Sequence, residues 1–364
     1  MRIGLFGGSF NPVHNGHIKI AEYAYKTMNL DKIYFIPSAI SPFKKKNTVA
    51  PDNDRINMLN LALENFNGNS EVSLFEIKRG GVSYTFETIR YFKNKFPNDE
   101  LFFIMGSDLL PKFHKWEFVD EMTQKCQFVV YKRNRNINKI NAKKYGLKIM
   151  NNPIFSESST KVRQGELYLT DPKVNKYIGN NFLYAKEIIH SLLTAKRAKH
   201  CVSAAEFAAT LAKSINYDAK KAYYAGLFHD ICKELDEKDS RAFIGQFIND
   251  SFDPIKLPSY KLHQVAGALW FKYIYMNEDE EIFNAIKVHT SLALELSTLD
   301  KILYIADKIC DGRAFAGVQK LRKLALENFD ECFKEVVNRN IEYNLAKNIS
   351  FSKEQNEINN KWNK

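Results

Sequence analysis

The 364 residues are enough for two domains of ordinary size, and 45% hydrophobic with 26% charged residues describes a folded chain and not a disordered one. The formal net charge of +11 suits small polyphosphate ligands. The accompanying Lys, Asn and Ile follow the codon bias of an AT-rich genome, which argues against reading Lys44-Lys45-Lys46 or Lys132-Arg133-Asn134-Arg135 as a nucleic-acid surface. No apolar run reaches the ~18 residues of a membrane span, no leader precedes the first apolar run, and five scattered cysteines lack CxxC pairing, so a reducing cytoplasm is expected.

Arg2 to Phe6 reads as a short buried strand, followed at once by Gly7-Gly8-Ser9. From Gly16 the residues Ile18, Ile20, Ala21, Ala24 and Tyr25 recur at helical spacing. Strand, glycine turn and helix open a nucleotide-binding α/β unit, since glycines admit phosphate and a helix N-terminus offers unpaired N–H groups. His14 and His17, three residues apart with Gly16 between them, can aim two imidazoles at one anion in that turn. Neither a Walker P-loop nor GxGxxG occurs.

Asp31 to Pro37 predicts a second strand, Ser38 to Asn53 a polar loop, and Asp54-Arg55 the opening of a helix. Val72 to Ile77 predicts a third strand leading into Arg79-Gly80-Gly81-Val82-Ser83-Tyr84-Thr85, with a helix onward to about Lys95. Leu101 to Met105 predicts a fourth strand ending in Gly106-Ser107-Asp108, and Gln127 to Tyr131 a fifth, with Phe113 to Trp116 in the loop between. Ser156 to Arg163 follows Ile154. The alternation implies a parallel sheet with ligand at the carboxyl ends of its strands.

A short helix from Asp171-Pro172 ends near Ile178-Gly179, and the grammar then changes. Helical periodicity alone runs from Ala185 to about Asn348, which places a domain boundary near 183; the Lys/Asn-rich tail 351–364 is expected to pack poorly. The fold class expected is therefore an α/β Rossmann-like domain over 1–183 followed by an all-α domain over 184–350. In the second half an adjacent His229-Asp230 pair follows an apolar helix, with His200 upstream and Asp307 downstream. Such a set can converge on one divalent cation within a helical bundle. His263 and His289 add nitrogen for a second cation, bridged by Asp230.

The HxGH element after GGSFNP resembles the nucleotidyltransferase superfamily. With SPFKK, DRINM, RGGVSYT, GSDLLPKFHKW and SSTKVR in order, residues 1 to about 183 are similar to bacterial nicotinate-nucleotide adenylyltransferases. The resemblance implies ATP held by Gly7, Gly8, Ser9, Phe10, His14 and His17 in the turn, and by Gly106 and Asp108 around the adenosine. Ser158, Ser159, Thr160 and Arg163 would clamp the β/γ-phosphates, with Lys44 reaching the same region. Lys44, Thr85 and Trp116 would hold nicotinate mononucleotide. Catalysis would fall to His14, His17, Lys44 and Arg163, with Mg²⁺ on the triphosphate. Phe43 stands where many relatives carry histidine and receives no role. Nicotinamide mononucleotide is the rival acceptor.

The second half resembles the HD-domain phosphohydrolases. KRAKH, AGLFHDICK, LHQVAGA, AIKVHTS and LDKILYIADKICDGRAFAGV are similar to the bacterial HD enzymes that split diadenosine tetraphosphate symmetrically. The resemblance implies a divalent metal pair held by His200, His229, Asp230, His263, His289 and Asp307. Asp230 would be catalytic as the bridge, with Arg197, Lys233, Thr290 and Arg313 on phosphate. Iron is favoured, with manganese or zinc as alternatives. Another nucleotide substrate, or a regulatory metal sensor, is the rival reading, and a homo-oligomer is left open.

Overall fold

The computed structural model describes residues 1–40, 49–247 and 254–363. It divides into two compact units, Met1–Tyr177 and Ile178–Lys364.

The first unit is built on six parallel strands: β1 (Arg2–Gly8), β2 (Lys32–Pro37), β3 (Ser70–Val72), β4 (Glu100–Gly106), β5 (Gln127–Tyr131) and β6 (Lys148–Ile149), in the order β3-β2-β1-β4-β5-β6. Ile3, Leu5, Ile33, Phe35 and Val129 are fully buried, as helices on both faces require of a parallel sheet. Those helices are α1 (Asn15–Thr27), α2 (Asp52–Leu63), α3 (Phe75–Arg79), α4 (Thr85–Lys95), α5 (Val119–Lys125), α6 (Ile140–Lys144) and α7 (Ser159–Arg163). From β1 the chain moves outward to β3 and then returns to lay β4 on the other side of β1. The reversal opens a crevice at the carboxyl ends of β1 and β4, where Gly8 and Gly106 end the strands.

Three expectations are corrected in this unit. The third strand stops pairing at Val72 instead of continuing to Ile77. Phe75 instead stacks on Tyr91 of α4 at 4.0 Å, so this apolar stretch packs on a helix as α3. Residues 107–115, read as part of a loop, form a 3₁₀ helix on which Leu110 and Phe113 are buried. The two-residue β6 is too short to show any periodicity.

The second unit contains α9 (Ala185–Leu192), α10 (Ala195–Ser214), α11 (Ala219–Phe228), α12 (Glu237–Gly245), α13 (Ser259–Leu269), α14 (Glu280–Val288), α15 (Thr298–Ile309), α16 (Val318–Glu327), α17 (Phe329–Ala346) and α18 (Lys353–Trp362). Starts are capped by Asp218, Asp279 and Ser297, whose side chains accept from the first-turn N–H groups. α10 turns Ala198, Cys201, Ala204, Ala205, Ala208 and Ala212 inward. A Cβ on Gly226 of α11 would lie 2.6 Å from Ala205 Cα, so these two helices approach too closely for any side chain there. All five cysteines are buried and free, and among the described residues no helix is long and apolar enough to cross a membrane.

Two further differences concern boundaries. Patterning put the change at 183, but α8 (Pro172–Asn180) contains the division at Tyr177/Ile178. Residues just beyond it belong with the helices: Asn277 Nδ2 donates to Gly179 O (2.8 Å) and Tyr275 Oη to Leu183 O (2.9 Å). The tail expected to pack poorly forms α18, with Gln355, Ile358 and Asn359 buried. Its polar composition hid this, because two of the three buried positions are amides.

Candidate active sites

The crevice of the sheet unit is a cavity of about 570 Å³ lined by the β1 turn, the end of β4 and the start of α7. The turn is held from two sides. Arg55 of α2, fully buried, donates to Ser9 O (2.8 Å) and Ser38 O (2.7 Å) and pairs with Asp52. From the other side Ser159 Oγ donates to Pro12 O (2.8 Å) and Arg163 Nη1 to Asn11 O (2.6 Å). Phe10 sits at φ 43°, a left-handed conformation unusual for a bulky residue. Its ring is 1% exposed against Phe6, Phe35 and His17 and does not line the cavity, so this predicted ATP contact serves as a wedge under the turn.

His14 and His17 do line the cavity, their rings 3.7 Å apart. The backbone N–H of His14 donates to His17 Nδ1 (3.2 Å), which leaves Nε2 of His17 to carry its ring proton. Burial, helped by the charge of Arg133, pushes the pKa of His14 down to about 3. His14 is thus a neutral hydrogen-bond donor at neutral pH, and its buried Nδ1 has no partner among the described residues. A Cβ on Gly16 would crowd both His14 Nδ1 (3.0 Å) and Glu157 Cβ (3.2 Å), which is why glycine separates the two histidines.

Gly7, Gly8, Ser9, Thr85, Gly106, Asp108, Trp116, Ser158, Ser159, Thr160 and Arg163 all line the same cavity. Ser158 caps α7, its Oγ accepting from Lys161 N (3.2 Å). Trp116 rests on Phe113 (5.0 Å), and its buried Nε1 lacks a partner among the described residues. Lys44 lies outside the described residues. The sequence reading missed two further lining residues, Arg133, 3.9 Å from Asp108, and Glu157, which pairs with Lys19 at 2.5 Å. Arg133 did have a signal: a cation just past the carboxyl end of a strand.

In the helical unit all six predicted ligands converge. Asp230 faces two pairs of imidazoles. Its Oδ2 lies 3.5 Å from His229 Nε2 and 3.9 Å from His200 Nε2, and its Oδ1 lies 3.6 Å from His289 Nε2 and 3.7 Å from His263 Nε2. Asp307 Oδ1 is 3.0 Å from His200 Nε2 and 3.5 Å from His229 Nε2. Two overlapping sets, His200-His229-Asp307 and His229-Asp230-His289, bring their ligand atoms within 4.8 Å of one another. The outer ring nitrogens of His229 and His289 are held by Gly226 O and Ile286 O, both at 2.7 Å, which turns each Nε2 inward.

Although its burial is unfavourable, Asp230 is kept well below the usual carboxylate range by His229 and His289. Burial likewise opposes ionisation of Asp307, but Lys308 and His200 keep its carboxyl low. Burial, His289 and Lys233 push His263 down to about 2. Burial lowers His289 as well, whereas His229 is raised to about 10, its burial outweighed by Asp230 and Asp307, so a cation bound there displaces a proton from it. The buried Nε2 of His229 lacks a hydrogen-bond partner among the described residues, and the mixed N/O donor set fits a first-row metal. Of the predicted phosphate contacts, Arg197 pairs with Asp230 (2.7 Å) and Arg313 with Asp307 (2.8 Å). Lys233 Nζ and Thr290 Oγ1 lie 3.0 and 3.1 Å from His263 Nε2. Lys308, on the second oxygen of Asp307 at 2.7 Å, was missed although it is the next residue in sequence.

The Cytidylyltransferase-like family matches residues 5–165 and the HD domain residues 197–311, so the class is a nucleotidyltransferase-type domain followed by an HD-type domain. A Mycoplasma genitalium protein described as a probable nicotinate-nucleotide adenylyltransferase/Ap4A hydrolase is 34% identical over 344 residues, covering 91% of this chain and 95% of its own. A Bacillus subtilis nicotinate-nucleotide adenylyltransferase is 37% identical over 189 residues, 50% of this chain and 98% of its own. A solved Clostridium acetobutylicum structure, described as a predicted HD superfamily hydrolase involved in NAD metabolism, is 32% identical, with a TM-score of 0.45 over 50% of this chain and 96% of its own. The chain belongs to the family of fused nicotinate-nucleotide adenylyltransferase/Ap4A hydrolases.

Proposed function

We propose that the sheet unit transfers the adenylyl group of ATP to nicotinate mononucleotide, and that the helical unit hydrolyses diadenosine tetraphosphate to two ADP. For the transferase, the carrying observation is the pair of histidines, their rings in close contact, that share one cavity with the α7 start. The 5′-phosphate oxygen of the acceptor attacks the α-phosphorus of ATP, and the bond to pyrophosphate breaks. Neutral His14 and the Nε2 proton of His17 donate to the phosphate oxygens as charge builds, while the Ser158–Thr160 backbone and Arg163 receive the pyrophosphate. The ring of Trp116 stacks on the pyridine and Thr85 holds its acid group. Imidazole and guanidinium donors line the cavity beside the carboxylates of Glu76, Asp108 and Glu157, and Mg²⁺ would arrive on the triphosphate itself.

For the hydrolase, the carrying observation is Asp230 with one oxygen toward each imidazole pair. His200, His229 and Asp307 would hold one cation and His263 and His289 the other, with Asp230 between them, and iron is the favoured pair. When bound, the metals supply Lewis acidity and lower the pKa of water. Arg197, Lys233 and Arg313 hold the tetraphosphate so that water attacks a central phosphorus and ADP departs, and Thr290 hydrogen-bonds a phosphate oxygen. Incubation with ATP plus nicotinate or nicotinamide mononucleotide, and separately with diadenosine tetraphosphate and Mn²⁺, tests both readings by chromatography. Deamido-NAD from the acid substrate, and ADP as sole product of the second, are expected. Preference for the amide, or ATP plus AMP, would overturn the respective assignment.

A further inference from the structure

The segment leaving α14 carries His289, Thr290 and Ser291 in a row, and one side chain of another helix fixes its backbone. Gln264 of α13, beside His263 and 2% exposed, accepts at Oε1 from the N–H groups of Thr290 (3.0 Å) and Ser291 (3.3 Å). Its Nε2 donates to Ser291 Oγ (2.8 Å). The residue following one imidazole therefore anchors the chain following the other, and the two Nε2 atoms stand 3.3 Å apart.

The far side of the same segment is held by α18. Gln355 Nε2 donates to Ser291 O (2.8 Å), Trp362 Nε1 donates to Ala293 O (2.7 Å), and Lys361 pairs with Glu295 (2.6 Å). Gln355 and Asn359 are both buried and joined at 3.1 Å, yet Gln355 Oε1 and Asn359 Nδ2 lack partners among the described residues. Apolar side chains would stabilise such a face better, because an unsatisfied buried amide costs free energy. What amides add is direction, since a hydrogen bond weakens steeply off its axis.

We propose that Gln264 and α18 form a clamp that positions His289 and Thr290, so that residues 351–363 are a working part of the hydrolase site. The proposal rests on the two-metal phosphohydrolase reading. Gln355 is a positioning residue, acting through Ser291. His200, His229 and Asp307 stand on or beside α10, α11 and α15 with anchors of their own, so loss of the clamp weakens one metal position and spares the other.

The test uses the full chain, stripped with chelator and titrated with Mn²⁺ by calorimetry, for wild type, Gln355→Met and the milder Trp362→Phe. Wild type should bind two equivalents. Gln355→Met should keep one unchanged and bind the second at least about tenfold more weakly, as loss of an outer-shell support does. Trp362→Phe should shift the same equivalent less. Hydrolysis of diadenosine tetraphosphate should lose kcat along with that equivalent, while circular dichroism at the assay temperature stays unchanged. A variant with lowered Tm and both equivalents bound as in wild type would make α18 a mere brace and overturn the clamp. Wild type binding fewer than two equivalents would instead overturn the two-metal reading, and the clamp with it.

Discussion

Buried without charge, His14 links stability to pH. Its folded pKa of about 3 lies below the ordinary 6.5, so on acidification the unfolded chain takes the proton first. The stability it contributes is fully present above pH 6.5 and drains away between there and pH 3, by up to about 1.4 kcal/mol per unit. His14→Asn should flatten that slope, and urea unfolding at pH 7 and pH 4 would show it. Equal losses in variant and wild type would contradict a neutral buried imidazole. Its neighbour His17 lines the same cavity. His17→Ala should cost the transferase about 10²–10³ in rate, the usual cost of one lost oxyanion donor, and leave hydrolysis of diadenosine tetraphosphate unchanged. In the helical unit Asp230 is, among the described residues, the only carboxylate with an oxygen toward each imidazole pair. Asp230→Ala should therefore lose both metals and His289→Ala chiefly one, as elemental analysis of the purified variants would reveal; full occupancy in Asp230→Ala would defeat the bridging role.

At the level of elements, the hydrolase site depends on how closely α10 and α11 approach. His200 rides on α10, and His229 follows the last turn of α11 with its Nδ1 on Gly226 O. Gly226→Ala forces a methyl against the Ala205 backbone. Overpacking of this kind costs about 1–3 kcal/mol, and here it also displaces the carbonyl that orients a ligand. Lower thermal stability together with weaker metal binding is expected; a variant that binds metal as wild type does would show that the helices can part without disturbing the site. The sheet unit uses a different device. Arg55 fixes the turn after β1 from α2, while Ser159 and Arg163 fix it from α7, so a loop with glycines at its start is held rigid at its carbonyls.

For the molecule as a whole, the division at Tyr177/Ile178 falls inside α8, which each unit needs. In the first unit Tyr177 Oη donates to Asp54 (2.8 Å), and in the second Gly179 O accepts from Asn277. Residues 1–183 and residues 172–364, expressed apart with α8 in both, should each fold and retain one activity. A cut at 183/184 should leave the helical half less stable, because it strips away the Gly179 and Leu183 carbonyls that Asn277 and Tyr275 hold. Melting curves of the two versions of that half would compare them, and identical Tm values would count against the placement of the boundary.

Legibility from sequence followed locality. The β1–turn–α1 unit, the capped α7 start and the His229-Asp230 pair were readable because chemistry and backbone form lie within a few consecutive residues: glycines before a helix, a serine at its start, His beside Asp. Residue types and their order, with the family resemblance, pointed to the six side chains that the helices bring together. The supporting contacts were decided only by tertiary structure. Arg55 reaches across 46 residues to Ser9 and Gln355 across 64 to Ser291. Nothing in the local pattern of a polar helix says that its amides will be buried. The third strand was misread for the same reason, because an apolar run does not reveal whether it will meet a sheet or, as Phe75 does, the face of a helix.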